Sequence, residues 1–246
     1  IEEENWPLVY YLSMQLKVEN THAETYSKAA LTIVPPEEQK EMIDMCTELE
    51  CIKKKGEWTH KFIDSSESKA LRYVSCAVSE GVHFVSLFAV IFYMRKMGIF
   101  NNFIESNEQI SKDESLHRDQ KCMEAKRILK KEEWSRAIEI IKSGVEVEKL
   151  QARELLKEPI ISDQTDKDVG LTIKNLDLYI EMLADQVSIL CGMEKIYGSE
   201  AELRWMDDIN RSQKTNFYER DVVGSYRKFD PNAAIEEEDE GYHDAI

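Results

Sequence analysis

Glu19-Asn-Thr-His22 and Glu114-Ser-Leu-His117 are the two stretches whose reading decides the fold. A spacing of three puts a carboxylate and an imidazole on one face of a helix, where both can hold one hard or borderline metal ion. Two such pairs on two helices, joined by a carboxylate from each of two further helices, define a helical bundle that carries a pair of metals in its interior. The pattern is not specific by itself, because every one of the 5 histidines follows a Glu by three positions, Glu57/His60, Glu80/His83 and Glu240/His243 included. Context separates them. His60 stands beside Lys61, just after Lys53-Lys54-Lys55, and reads as solvated, while His243 lies among acids near the end of the chain. Glu80 opens the most apolar stretch, where an unpaired buried carboxylate is expensive, so it calls for a metal or another partner.

Outward from these pairs the chain reads as helix. With 9 Gly and 5 Pro in 246 residues, a loop-rich β-sandwich or a disordered chain is excluded. Apolar spacing predicts helices over about 5–34, 37–55, 57–63, 68–97, 103–129, 132–156 and 171–197. Their expected punctuation is Pro35-Pro36, Gly56, Asp64-Ser65-Ser66, Gly98 and capping Asn101 and Asn102. Short connections between long helices imply antiparallel neighbours, hence an all-α bundle over residues 1–228. From Phe229 the periodicity stops, and 229–246 is expected to be a flexible acidic tail.

The net charge of −16 repels nucleic acid and anionic lipid, so neither is expected as a partner. Seven acids and no Lys or Arg follow Lys228, which leaves the body only moderately acidic. The apolar run Phe84 to Met94 is too short to span a bilayer and reads as a core helix. The opening IEEENW has no signal-peptide character, and five cysteines without C-x-x-C spacing fit reduced thiols in the cytoplasm.

The sequence around the pairs resembles the small, radical-generating subunit of class I ribonucleotide reductase, most nearly the eukaryotic type. The likeness rests on Glu19-Asn-Thr-His22-Ala-Glu-Thr-Tyr26, Cys51-Ile-Lys-Lys-Lys55, Ser79-Glu80-Gly81 through Phe84 and Phe88, Ser106 to His117, and Lys214-Thr-Asn-Phe217-Tyr-Glu219. It runs from about Gln15 to Tyr226. What it implies is a ferritin-like fold and an oxidoreductase, ribonucleoside-diphosphate reductase. A dimetal centre and dioxygen would generate a tyrosyl radical used by a large catalytic subunit to make deoxyribonucleotides.

Carried over by position, the resemblance implies metal ligands Glu19, His22, Glu80, Glu114 and His117, with Tyr26 in the place of the radical-bearing tyrosine. Phe84, Phe88 and Ile110 match the apolar pocket around the radical. Asp113 matches a carboxylate that orients a ligating histidine, here His22, and Tyr226 matches the tail tyrosine through which the radical leaves. Two iron ions are the implied cofactor, and because carboxylates and imidazoles suit iron and manganese alike, manganese stays open. The implied partners are the large subunit, held through the C-terminal tail, and a second copy in a homodimer.

Three departures qualify the likeness. The family draws one more carboxylate ligand from an upstream helix. Glu80 and Glu114 stand 34 residues apart, and the same step back from Glu19 falls before residue 1, as if the first helices were missing. His83 stands where the family has an aromatic residue, one turn from Glu80, either as an extra ligand or facing a neighbouring helix. The chain ends in Ile246 rather than phenylalanine. Two other readings stay open: an inactive ferritin-like paralogue or fragment with an incomplete site, and a ferritin-like diiron oxidase.

Overall fold

The computed structural model describes residues 6–63, 66–96, 100–157, 170–203 and 206. The order is α1 Trp6–Ile33, α2 Pro36–Glu48, α3 Glu50–Ile63, α4 Lys69–Gly81, α5 Val85–Lys96, α6 Asn101–Ile128, a 3₁₀ turn Lys131–Glu133, α7 Trp134–Leu155 and α8 Ile173–Leu190. No regular strand occurs among the described residues, and the all-α bundle is the observed architecture. The expected division at 228/229 and the acidic tail lie outside the described residues.

α4 is the central helix. Ala70, Leu71, Val74, Ala77 and Val78 form a buried stripe at helical spacing, and the helix packs along α6 while also touching α3, α7 and α8. Ser68 caps it, its side chain accepting from Leu71 N at 3.3 Å. α7 comes very close: a Cβ on Gly144 would lie 2.4 Å from Val78 Cγ1, so only glycine permits that approach.

Four boundaries differ from expectation, each for a physical reason. Pro35-Pro36 does stop α1, with Pro36 opening α2 at a position where its missing N–H costs nothing. Gly56, however, lies inside α3, and the chain breaks instead at Leu49, whose ψ of 129° is extended. Asn101 and Asn102 are the first residues of α6 rather than its caps, because Phe100 turns the chain in the left-handed region at φ 55°. α8 ends at Leu190, not Tyr197. Gly192 at φ 90° reverses the chain, and the buried Asp185 carboxylate accepts from Ile196 N, Tyr197 N and Gly198 N at 2.7–2.9 Å, folding the segment back on α8.

The fourth difference is the largest. The expected helix 68–97 is two helices, separated by Val82–Phe84, with no glycine or proline in the gap. The break is held from outside. Lys55 of α3 donates its ammonium to His83 O, and Glu148 of α7 accepts from Ser86 N at 2.7 Å and from the Ser86 hydroxyl. A cation thus meets the carbonyl end of α4 and an anion the N–H end of α5, as the helix dipoles favour. Lys55 Nζ lies 2.6 Å from Glu148 Oε2, so the two charges also pair. The stretch 69–94 has the length and hydropathy to cross a membrane, but 61% of its most apolar window is buried against the other helices, as a core element would be.

Candidate metal centre

α1 and α6 meet along one antiparallel seam. Positions 11, 15, 19, 22 and 26 recur at turns of α1 and share a face. Those at 15, 19, 22 and 26 meet partners on α6 in reverse order, while Tyr11 reaches back to Leu116 O. Tyr26 pairs with Asn107, His22 with Asp113 and Glu114, Glu19 with His117, and Gln15 with Lys121. His22 is the one buried residue of α1, so helix packing and site formation coincide there.

Glu19, Glu80, Glu114 and His117 each offer one ligand atom, and these atoms lie within 4.8 Å of one another. α1 supplies the first, the last turn of α4 the second and α6 the other two. His117 Nδ1 is 2.9 Å from Glu19 Oε1 and 3.3 Å from Glu114 Oε2. His22 joins from the other side, with Nδ1 3.0 Å from Glu114 Oε1 and 3.5 Å from Glu19 Oε2. All five sequence-expected ligands are therefore brought together. His22 Nε2 faces Asp113 Oδ2 at 3.1 Å, which leaves Nδ1 turned toward the carboxylates.

The donor set fits a metal. Glu19 Oε1 and His22 Nδ1 are buried without a hydrogen bond, although ligand atoms sit about them at 2.9–3.5 Å, so the lone pairs converge rather than satisfy one another. Glu80 is held well above the usual carboxylate range, first by burial and then by its neighbours Glu114 and Glu19. A divalent cation would reverse that penalty.

Tyr26 donates its phenol to Asn107 Oδ1 at 2.8 Å and sets its ring edge-on to Phe103 at 6.3 Å. Burial, then Glu114, pushes its pKa up to about 12, so it stays a neutral phenol. Of the expected pocket residues, Phe88 and Ile110 are buried, but Phe84 is 40% exposed and Tyr26 itself 38%. Phe84 and Phe88 line a small cavity of about 30 Å³ beside Glu80 and Glu114, and the recorded contacts of the Tyr26 phenol and ring are with Asn107 and Phe103 instead. Tyr226 lies outside the described residues.

His83 resolves toward the neighbouring helix. It is buried edge-on against Trp58 at 4.6 Å, with Nε2 3.2 Å from the position a Gly144 side chain would take, on the α3/α7 side of the gap. It is not among the clustered ligand atoms. Sequence reasoning passed over Gln15 and Lys121. Each stands four residues from a ligand, Gln15 before Glu19 and Lys121 after His117, which was the available signal. Gln15 Nε2 donates to Glu80 Oε1 at 2.9 Å, and Lys121 Nζ donates to Gln15 Oε1 at 2.7 Å.

Residues 8–204 match the family model "Ribonucleotide reductase, small chain". The ribonucleoside-diphosphate reductase small subunit of Dictyostelium discoideum is 33% identical over 214 residues, 87% of this chain and 61% of that protein. The small chain of Trypanosoma brucei brucei is 34% identical over 220 residues, 89% of this chain and 63% of that one. The chain thus spans about three-fifths of the length of these relatives. Among solved structures, the Saccharomyces cerevisiae Rnr4 homodimer aligns with a TM-score of 0.61 at 24% identity, covering 77% of this chain and 58% of that one. The R2 subunit from Clostridium botulinum aligns at 0.67 and 19% identity, covering 81% and 65%. These two likenesses speak for the ferritin-like fold alone. With the family model matched over residues 8–204, most of this chain, and Glu-x-x-His pairs facing each other across α1 and α6, the chain belongs to the ribonucleotide reductase small chain family.

Proposed function

We propose that the chain is the radical-generating subunit of a ribonucleoside-diphosphate reductase. The observation that carries this is the convergence of Glu19, Glu80, Glu114, His117 and His22, with Tyr26 one turn beyond His22 on the same helix. Glu19, Glu80, Glu114, His22 and His117 would hold two iron ions. With dioxygen, the bound metals would supply the oxidising power that takes one electron from Tyr26. The protein's own part is to hold and move protons. The phenol proton of Tyr26 already points at Asn107 Oδ1, and His22, held between Asp113 and Glu114, keeps a ligand nitrogen facing inward.

The radical then leaves by way of Asp113 and, in the tail, Tyr226, to a large subunit that reduces ribonucleoside diphosphates. The acids Glu236 to Glu240 would steer the tail to a basic groove, with Tyr242 and Ile246 as apolar anchors. Two copies would pair, as in the yeast relative. All five cysteines are free, which supports a reducing cytoplasmic setting. The test is electron paramagnetic resonance on the iron-loaded full-length protein. Tyr26→Phe should abolish the tyrosyl signal and leave metal content nearly unchanged, since the phenol is not a ligand. An unchanged signal would place the radical on another residue.

A further inference from the structure

Three groups on the α1/α6 seam lie beyond the ligands and take no part in the chemistry so far assigned. Tyr11, Gln15 and Glu19 recur at one turn on α1, and Glu114, His117 and Lys121 at helical spacing on α6. Lys121 is 6% exposed, unusual for a lysine, and its ammonium is spent inward: Nζ donates to Gln15 Oε1 at 2.7 Å and sits 5.9 Å from the Tyr11 ring. Tyr11 is fixed in turn, its hydroxyl donating to Leu116 O at 3.0 Å and its ring standing edge-on to His117 at 6.5 Å. Gln15 is an amide with two ends. Lys121 can only donate, so it commits the Gln15 oxygen, and the nitrogen must then face Glu80, donating to Oε1 at 2.9 Å.

We propose that Lys121, acting through Gln15, is a positioning residue that fixes the Glu80 carboxylate with Oε1 held by the amide and Oε2 left for the metal. The proposal rests on the reading of this site as a metal centre. Without the ammonium, the Gln15 amide can flip or rotate, and Glu80 is no longer restricted to one-oxygen ligation. The charged and ionisable groups facing Lys121 are Glu80, Cys76, Glu124 and Glu19, three of them acids and one a thiol. Its position is thus electrostatically matched to the site it serves. The sign of its effect distinguishes positioning from charge alone. A nearby cation acting only through its field repels a divalent ion, so its removal would tighten binding. A cation acting by orienting a ligand loosens binding when removed, typically 10–100-fold for groups that support a ligand from behind.

The experiment is cobalt(II) titration of the full-length protein, followed by the visible absorption of the bound ion and by calorimetry. Lys121→Met and Gln15→Met should each weaken cobalt(II) binding about 10–100-fold and change the visible spectrum, because Glu80 changes its mode of ligation. The double variant should bind no more weakly than Gln15→Met alone, since the lysine acts through the glutamine. Lys121→Arg, which keeps a cationic donor, should stay within a few-fold of the unaltered protein. Gln15 is only half-buried, so Gln15→Met tests the same link even if Lys121→Met fails to fold. Unchanged affinity and spectrum in Gln15→Met, or tighter binding in Lys121→Met, would overturn the proposal while leaving the metal centre standing. No cobalt(II) binding by the unaltered protein would overturn both.

Discussion

Two of the places where the molecule buries carboxylates treat them in opposite ways. Between α3, α5 and α7, Glu148 has a fully buried side chain, yet it meets Lys55 at 2.6 Å and accepts from Ser86 N and the Ser86 hydroxyl. On the α1/α4/α6 side, Glu19, Glu80 and Glu114 crowd together with two imidazoles, and among the described residues the one hydrogen-bonded link from Lys121 to them runs through Gln15. A buried charge is tolerated when paired and expensive when not. The first place is therefore paired within the protein, whereas the second, on the proposed reading, is completed by a cation. That contrast, more than the presence of Glu and His as such, separates a structural carboxylate from a metal ligand.

The contrast breaks first at Lys55. Lys55→Met leaves the Glu148 charge without its counter-ion in a dry site and should cost about 3–5 kcal/mol, measured by urea unfolding. Lys55→Met with Glu148→Gln should recover much of that loss, because the amide keeps an acceptor for Ser86 without burying a charge. A loss below about 1 kcal/mol in the single variant would mean that the pair is not what holds the α4/α5 gap.

How much of this was legible beforehand follows the same division. The metal side is local in sequence. Glu-x-x-His spacing and the apolar stripe of α4 are read from helical period, the choice among the five pairs comes from context and from the family resemblance, and Gln15 and Lys121, each one turn from a ligand, are passed over. The gap at Val82–Phe84 is not. Nothing at those positions breaks a helix, and the partners that stabilise the break, Lys55 and Glu148, are 28 and 62 residues away from the groups they cap. The end of α8 is similar, since the Asp185 carboxylate that folds back 196–198 looks in sequence like any polar helix position. Phe84 and Tyr26 show a third limit. Spacing places them near the site, but it does not reveal how much of each side chain meets solvent.

A sharper probe of the paired side is His83, whose backbone oxygen takes the Lys55 ammonium. Burial, with Lys55 adding to it, lowers the His83 pKa from 6.5 to about 3, so the ring is neutral in the folded protein. The unfolded chain binds the proton below about pH 6.5 and the folded one does not, so stability falls as pH drops from about 6.5 toward 3. At pH 5 this amounts to about 2 kcal/mol relative to pH 8. His83→Phe, which keeps an aromatic ring against Trp58, should remove that part of the pH dependence, read from urea midpoints at the two pH values. An unaltered acid slope would show that His83 is protonated in place.

The last effect is the one whose sign says most. In the metal-free protein near neutrality the fold holds Glu80 protonated while the unfolded chain ionises it, and Glu80→Gln removes that cost while keeping an oxygen to accept from Gln15. Its raised pKa means that stability from this group is full below about pH 4.5 and is lost as pH rises toward the folded value. The substitution should therefore stabilise the metal-free protein near neutrality, and the gain should vanish at pH 4. With cobalt(II) or iron(II) present the order must reverse, because the amide is a poorer ligand and metal binding feeds directly into folding stability. Thermal unfolding of both proteins with and without metal reads the reversal in a single set of four curves. At the Glu148 site no such reversal is available, since metal should leave the effect of Glu148→Gln unchanged. If Glu80→Gln destabilised the metal-free protein as well, Glu80 would be a paired structural acid, and the distinction between the two buried sites would fail.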